Sequence, residues 1–494
     1  MKGKKIIICF IVILTLVLPV LVACNDDSET ESKTQTSADG ETDFPLETQT
    51  FDTTIRILCV EAGRHSYGEM QFVPDEEEVG NSVNDAVKRR NDLIEQNYGI
   101  SIETVPAQYP GDEIRVSIES GSDDYQLVND SVDRMLPRAT QSYYWSLEDR
   151  LLLDSPWWDQ NALDNLSITD KTYFVAGDAL ITDDNHTYLI LFNKKMYNEN
   201  GDLHGHYGDM YEFVNDGKWT YEVMYEMGKK VSKPDDNGQW GTEGGTYGLI
   251  GEGYGTNILV SGSGSASAVK TGDGNIQLMV DSEKSINAFE KVFNMMTDKA
   301  NTIRVEQFSE GGWGIVSNMF MTGKGLFYCT SAREIHNIKN NASESKVDFG
   351  VIPIPKYNEQ QEKYYNGVNA YQSTVLAIPV TNHEKLDATL YLLEALGYWS
   401  RNTPSESVTD AYYERTLKLQ SVDAQEDADM LDLVFNNRLY DIGSIYNWGE
   451  ELIGIYSRVM RSGSNTLIST YESVKEKIQA DMEQTIAEYQ NIPT

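Results

Sequence analysis

Strand-like apolar runs alternate with segments of helical periodicity in the first part of the folded chain. The run Thr54–Val60 predicts a buried strand, and Ser82–Asn97 keeps apolar residues at roughly helical spacing behind a serine cap. The following segments predict a strand at Ile100–Val105, a helix at Asp112–Glu119 and a strand at Tyr125–Val128. Because strands and helices alternate, we predict a doubly wound α/β lobe here.

A second α/β unit is predicted later in the chain by the same signals. Its segments are a threonine-capped helix that begins within Lys218–Glu222, strand and helix signals at Gly245–Ile250 and Ser285–Thr297, and a strand at Gly325–Cys329. The apolar segment Ala179–Phe192 leads into this unit, and Asn366–Tyr371 leads back to a strand at Thr374–Ile378 and a helix at Glu384–Tyr398. Two connections between two α/β units form a hinge.

The predicted fold class is therefore α/β, with two lobes, a hinge of crossover segments and a ligand cleft between the lobes. A chain of 494 residues is too long for one compact core, which favours two. We expect lobe one to comprise residues 51–175 with 372–402, and lobe two to comprise residues 176–371 with 403–494.

The N-terminal segment predicts a lipoprotein signal peptide over residues 1–23. Three lysines within the first five residues precede the apolar run Ile6–Ala23, which ends in Leu-Val-Ala-Cys at Cys24. A permanent membrane helix is the alternative, but such a helix gains nothing from that ending. Residues 24–50 are predicted to be the lipidated cysteine and a disordered tether, because they contain almost no large apolar side chain. We expect the protein at the extracellular face of the cell membrane, anchored by lipid.

Charge and motif content exclude several classes of function. The chain has 77 acidic and 40 basic residues, a net charge of -37, which repels nucleic acid. Cys59 and Cys329 lie in apolar strand-like runs and are predicted to be buried free thiols. Two histidines, His204 and His206, have a possible metal spacing but lack an obvious third ligand. No metalloprotease, nucleophile-elbow or phosphate-loop motif is present, and we predict no catalytic residue, metal or cofactor.

Several short motifs together make the chain resemble a known family. They are Leu191–Lys194, Asp216–Thr220 entering a helix, Thr246–Gly248 after an acidic turn, Phe320–Gly325 before an apolar strand, and Asp348–Pro355. In this order, behind a lipobox, they resemble the extracellular solute-binding proteins of bacterial ABC importers, a family that includes the maltodextrin-binding proteins. The resemblance implies a two-lobed, type II periplasmic-binding-protein-like fold and a monomer without enzymatic activity. It also implies capture of a small solute, with an oligosaccharide or glycoside favoured, and delivery to ABC permease subunits.

The candidate binding residues come from strand ends, from crossover and loop positions, and from the resemblance. Ligands of such sheets lie beyond the carboxyl ends of the strands, which indicates the loops after the first and third strands. His186 is a polar position of one crossover segment and Asn369 of the other, and Trp313 lies among glycines. The resemblance adds an acidic-x-Tyr stretch, the segment where some members carry a stacking tryptophan, and an aromatic pair near the C-terminus. The predicted ligand-binding residues are Glu61, Arg64, Asp130, Ser131, His186, Glu252, Tyr254, Trp313, Ser331, Arg333, Asn369, Tyr446 and Trp448.

Two other functions remain open at the level of sequence. One is a surface lipoprotein that hydrolyses or cleaves polysaccharide, since a glycosidase needs only two carboxylates and the chain has many. The other is a peptide-binding relative of the same family.

The predicted lipidation at Cys24 can be tested by substitution. We expect Cys24→Ala to leave the precursor without lipid, so that it partitions into the aqueous phase of a detergent extraction while the parent partitions into detergent. Equal membrane retention of the two proteins would contradict the lipid anchor.

Overall fold

The computed structural model describes residues 44–492, apart from residues 243, 272–273, 342–346 and 418–423. The predicted signal peptide, Cys24 and most of the predicted tether lie outside the described residues. Within the part of the chain that is described, no helix combines the length and apolar character that a bilayer span requires.

Short strands in chain order build the sheets. They are β1 (Thr53–Val60), β2 (Ile100–Ala107), β3 (Leu127–Ser131), β4 (Tyr188–Asn193), β5 (Tyr247–Gly251), β6 (Ala268–Lys270), β7 (Ile276–Leu278), β8 (Thr302–Arg304), β9 (Gly325–Ser331), β10 (Phe349–Ile352), β11 (Asn366–Gly367), β12 (Thr374–Ala377) and β13 (Arg438–Leu439).

Helices cover the sheets and form the C-terminal part. They are α1 (Ser82–Tyr98), α2 (Pro110–Glu119), α3 (Val132–Ala139), α4 (Gln160–Leu166), α5 (Thr182–Asn185), α6 (Lys194–Asn198), α7 (Gly201–Tyr207), α8 (Met210–Asn215), α9 (Tyr221–Val231), α10 (Gly255–Ser261), α11 (Glu283–Thr297), α12 (Gly312–Met321), α13 (Arg333–Asn340), α14 (Leu386–Asn402), α15 (Val408–Asp410), α16 (Ala424–Phe435), α17 (Ile442–Tyr446), α18 (Ile455–Ser462), α19 (Leu467–Glu472) and α20 (Lys475–Asn491). Shorter 3₁₀ segments lie at Val305–Gln307, Trp448–Glu450 and Leu452–Gly454, and a π-helical segment at Ala411–Leu417.

Two larger sheets form the cores of the two halves. The first has the order β12-β3-β1-β2, with β1 parallel to β2 and β3 and with β12 antiparallel to β3. The second has the order β10-β4-β9-β5-β8, in which β5 is parallel to β8 and β9 while β4 is antiparallel to β9. Helix α14 packs on α1 and β1, so the chain returns to the first sheet after visiting the second.

Local sequence explains the first elements. Strand β1 is apolar over Leu58–Val60 and buried there, as a strand covered on both faces should be. The Asn81 side chain accepts hydrogen bonds from the first turn of α1, and Gly99 ends the helix in a left-handed conformation with φ 65°. The cap is therefore Asn81 and not the predicted Ser82. The predicted cap Thr220 of α9 is confirmed by its hydrogen bond from the Val223 amide.

The third strand differs from its prediction. We predicted Tyr125–Val128, but β3 runs over Leu127–Ser131. Residues Asn129 to Ser131 continue the strand because β12 pairs with them in antiparallel register, Val375 opposite Asp130. A pairing with a strand more than 240 residues away in sequence is invisible to a local pattern, so Asp130 and Ser131 lie in the strand and not beyond it.

The segments that join the two halves meet at the buried side chain of Arg438. Its guanidinium donates to the carboxylate of Asp159 at 2.9 Å, to the carboxylate of Asp184 and, through Nε, to the Thr187 hydroxyl at 3.0 Å. The hydroxyl of Tyr440 also donates to Asp159, at 3.0 Å. One side chain of β13 thus links the segment before α4 to the crossover into the second sheet.

We expect Arg438→Met to lower the free energy of unfolding by about 3 to 5 kcal/mol, because it leaves the Asp159 carboxylate buried without its partner. Urea unfolding followed by tryptophan fluorescence measures the change. The control is Arg458→Met, which removes a solvent-exposed pair with Glu451 and should cost no more than about 1 kcal/mol. Equal losses in the two variants would contradict the structural role of Arg438.

Candidate functional site

Polar and aromatic side chains converge at one edge of the second sheet. Strands β5 and β9 are parallel, so their carboxyl ends reach the same edge and bring Glu252 and Ser331 to it. Strand β4 runs antiparallel to β9, and its first residue, Tyr188, therefore lies opposite Ser331. Carboxyl ends of strands are where ligands bind in open α/β sheets.

A cavity of about 910 Å³ lies at this edge, and we call it the strand-end cavity. Its walls come from the strand ends, α12, α13, the segment Asn366–Tyr371, which we call the return segment, and the chain from Ile453 into α18. Its lining residues are Tyr188, Glu252, Tyr254, Trp313, Gly314, Ser317, Asn318, Met321, Tyr328, Thr330, Ser331, Arg333, Glu334, Asn337, Asn341, Asn369, Tyr371, Gln372, Ile453, Gly454, Ser457 and Arg461.

Aromatic rings supply the apolar surface of this cavity. Trp313 and Tyr371 are 55% and 45% exposed, which is unusual for such large apolar side chains. The rings of Tyr188 and Tyr254 lie 6.2 Å apart, and those of Tyr254 and Tyr371 lie 5.8 Å apart, so three tyrosines form a continuous wall. Exposed aromatic faces beside polar groups suit a ligand with apolar C–H faces and hydroxyls.

Two carboxyl groups face the cavity. Burial raises the pKa of Glu252 to about 7, and the Tyr188 hydroxyl donates a hydrogen bond to it. Burial also raises the pKa of Glu334, whose carboxyl accepts hydrogen bonds from the Ser317 hydroxyl and, at 3.0 Å, from the Asn337 amide. Each carboxyl keeps oxygen lone pairs for further donors, such as the hydroxyls of a solute.

The return segment is held in place by backbone and side-chain hydrogen bonds. The Asn369 amide donates to the His186 carbonyl at 3.1 Å, and the Tyr371 amide donates to the Asn369 side chain at 3.0 Å. The Tyr254 hydroxyl accepts from the Ala370 amide at 3.4 Å. These bonds fix the direction in which Tyr371 enters the cavity.

The first-lobe candidates form a separate cluster behind the return segment. Arg64 donates to the Asp130 carboxylate at 2.6 Å, to the Ser131 hydroxyl at 2.7 Å and to the Tyr371 carbonyl at 3.3 Å. Asp130 also accepts from the Gly111 amide at 2.8 Å. Neither these residues nor Glu61 lines the strand-end cavity. The cluster positions Tyr371, and its polar groups are satisfied within the protein.

His186 lies beside a second buried histidine. Its ring centroid is 5.0 Å from that of His65, and both residues are 1% exposed. Burial lowers the pKa of His65 to about 3 and that of His186 well below its usual value, so both rings are neutral at pH 7. Within the described residues, neither ring has a hydrogen-bond partner. His186 does not line the strand-end cavity.

The structure places Tyr446 and Trp448 away from the strand-end cavity. Trp448 is 3% exposed, stacks on Tyr446 at 5.5 Å and donates its indole N–H to Thr485 at 2.9 Å. The Tyr446 hydroxyl bonds to that of Tyr489. Both rings pack against the C-terminal helix α20, which buries its inner face on them. We therefore leave the pair out of the site.

Six predicted residues line the cavity, and several lining residues were missed. The cavity includes Glu252, Tyr254, Trp313, Ser331, Arg333 and Asn369. The sequence missed Tyr188, which reaches the edge only through the antiparallel pairing of β4, and Arg461, which comes from a distant helix. Tyr371 is the last residue of the predicted crossover segment Asn366–Tyr371. Its position close to the polar Asn369 could have indicated it as a binding residue.

A second cavity of about 830 Å³, the hinge-side cavity, lies between α4, α14 and α16. Two of its carboxylates are paired within the protein, Asp178 with Arg401 at 2.9 Å and Asp159 with Arg438 at 2.9 Å. Its lining rings Trp157, Trp158 and Phe435 are buried, so it offers a solute less exposed aromatic surface than the strand-end cavity and is the weaker candidate.

The two cysteines and two of the histidines named in the sequence lie at defined positions in the fold. Cys59 and Cys329 are buried and free, as predicted. Burial raises the pKa of both thiols, which keeps them protonated. His204 and His206 lie in α7, and the described residues contain no group of three or more side chains that could hold a metal ion.

Two α/β halves with a cavity at the strand ends form the two-lobed architecture of the type II periplasmic-binding-protein fold. Among solved structures, the chain is similar to a cyclo/maltodextrin-binding protein complexed with maltotetraose, with 14% identity, a TM-score of 0.55, and 88% of this chain and 97% of that chain covered. It is similar to the sugar-binding protein MalE of Xanthomonas citri, with 15% identity, a TM-score of 0.55, and 89% and 98% covered. UgpB of Mycobacterium tuberculosis in complex with glycerophosphocholine has 14% identity, a TM-score of 0.57, and 88% and 99% covered.

These similarities confirm the predicted fold class and the predicted resemblance to ABC solute-binding proteins. At 14% to 15% identity they establish the fold alone. No protein-family model matches the chain, and no curated protein matches it in sequence.

Proposed function

We propose that this protein is the extracellular solute-binding component of an ABC importer and that it captures an oligosaccharide or glycoside in the strand-end cavity. The observation that carries the proposal is the exposure of Trp313 and Tyr371 in a cavity that also presents Glu252. Sugar rings have an apolar face that packs on aromatic side chains, and hydroxyls that need hydrogen-bond partners once water is removed.

The similar structures support the choice of sugar as the solute class. Two of them are a maltodextrin-binding and a sugar-binding protein, and they share the fold over nearly their whole length. UgpB binds glycerophosphocholine, so the same architecture also holds a small polar solute that is not an oligosaccharide.

Binding would close the two lobes around the solute. We propose that lobe one comprises residues 51–175 with 372–402 and that lobe two comprises residues 176–371 with 403–494. The lining residues of the strand-end cavity belong to lobe two except Gln372, so closure would have to bring further residues of lobe one onto the solute. Such contacts would shift the population to the closed form, which the permease then recognises. The crossover segments beside Arg438 are the hinge in this proposal.

The predicted lipid on Cys24 and the tether would hold the protein at the extracellular membrane face, where the permease is. No catalytic step is proposed. The competing function is a polysaccharide hydrolase, for which Glu252, with its raised pKa, is the candidate acid.

We expect Trp313→Ala to weaken solute binding about tenfold, because stacking on a sugar face is lost, while the melting temperature of the free protein stays nearly unchanged. The solute is first identified by a thermal-shift screen of oligosaccharides, glycosides and peptides, in which a hundredfold excess over Kd stabilises by about 2.7 kcal/mol. Calorimetric titration then gives Kd for parent and variant.

The matched control is Trp448→Ala, which should lose about 3 to 5 kcal/mol of folding stability and keep its affinity per folded molecule. Unchanged affinity in Trp313→Ala would remove Trp313 from the site, and unchanged affinity in both Trp313→Ala and Tyr371→Ala would contradict binding in the strand-end cavity. Chromatographic recovery of altered solute after incubation would favour the hydrolase, and a response to peptides alone would favour the peptide-binding relative.

A further inference from the structure

One cationic side chain of the strand-end cavity has no partner in the part of the chain that the structure describes. Arg333 is partly buried and lines the cavity, and within the described residues its guanidinium has no hydrogen bond or ion pair. Other arginines are paired, such as Arg64 with Asp130 at 2.6 Å and Arg401 with Asp178 at 2.9 Å. In a chain with 77 acidic and 40 basic residues, an unpaired arginine that faces a cavity is unexpected.

The backbone around Arg333 also favours negative charge. Arg333 is the first residue of α13, so the positive end of the helix dipole lies at the cavity wall. The residue before the helix is Ala332, whose methyl group cannot accept hydrogen bonds from the amides of the first turn. A second arginine, Arg461, lines the same cavity from α18 and approaches a carboxylate only at 4.0 Å, at Glu306.

The acidic side chains of the cavity do not cancel this positive charge. Burial raises the pKa of Glu252 to about 7, so the negative charge of this carboxyl is reduced near neutral pH, and burial also raises the pKa of Glu334. Glu334, the nearest carboxyl in sequence to Arg333, accepts hydrogen bonds from Ser317 and Asn337. Arginine stays charged under the same conditions.

We propose that the solute carries an anionic group, a carboxylate or a phosphate, and that Arg333 binds it. This inference rests on the proposed function and specifies the class of sugar, an acidic oligosaccharide or a phosphorylated glycoside. The planar guanidinium presents paired N–H donors that match both groups.

The same arrangement discriminates against neutral solutes. When the lobes close and water leaves the cavity, a neutral sugar leaves the Arg333 guanidinium desolvated and unpaired, which opposes closure. An anionic solute provides the missing partner. The overall charge of -37 repels anions at long range, so the selectivity must come from contacts inside the cavity.

The test compares matched acidic and neutral probes on the purified protein. The probes are oligosaccharides of galacturonate, glucuronate and mannuronate, their neutral methyl esters, neutral glucose and galactose oligosaccharides, and glucose 1-phosphate and glycerophosphocholine. We expect at least one acidic probe to bind ten or more times more tightly than its ester, and Arg333→Gln to abolish that preference. Arg458→Gln, which removes an equal charge outside the cavity, should retain it.

Each outcome decides the inference. Preference for the phosphate probes in an Arg333-dependent way supports the anionic class and identifies phosphate as the group. Equal binding of acids and esters, or a preference that survives Arg333→Gln, overturns the inference and leaves the proposed function intact. Binding of neutral oligosaccharides alone also overturns the inference and leaves the proposed function intact. If no saccharide of either charge raises the melting temperature, the proposed function itself fails.

Discussion

The structure depends on a buried ion-pair cluster at the point where the chain crosses between its two sheets. Arg438 holds Asp159 and Asp184, and its Nε donates to Thr187. Charged groups are costly to bury unless they are paired with good geometry, so this cluster constrains several segments to meet in one arrangement. In the proposed hinge, this fixed point would keep the connecting segments in register while the lobes move as bodies.

The strand-end cavity follows from that fixed point. Thr187 forms a bridge with Val368, and the adjoining His186 carbonyl accepts from Asn369, so the crossover positions the return segment. Arg64 holds the same segment from the first half through the Tyr371 carbonyl. The aromatic wall, the carboxyls and the unpaired Arg333 therefore face one space, where a solute can meet an apolar face, hydroxyl partners and a positive charge together.

Local patterns predicted the fold well where neighbouring residues decide the structure. The first helices and strands follow from apolar spacing and caps. Glu252 and Arg333 were indicated by the resemblance to solute-binding proteins, and both line the strand-end cavity. Pairings between distant segments were not predictable. The antiparallel partner of β3 extended that strand through Asp130, and α20 packs on Trp448, for which the resemblance implied a position over the cleft. In both cases the deciding contact lies far along the chain.

The most direct test of the account is a crystal structure of the protein with the solute identified by screening. The account predicts a solute in the strand-end cavity, with a ring packed on Trp313 or Tyr371 and hydroxyls within hydrogen-bond distance of Glu252. A solute bound in the hinge-side cavity, or bound without contact to these aromatic rings, would contradict it.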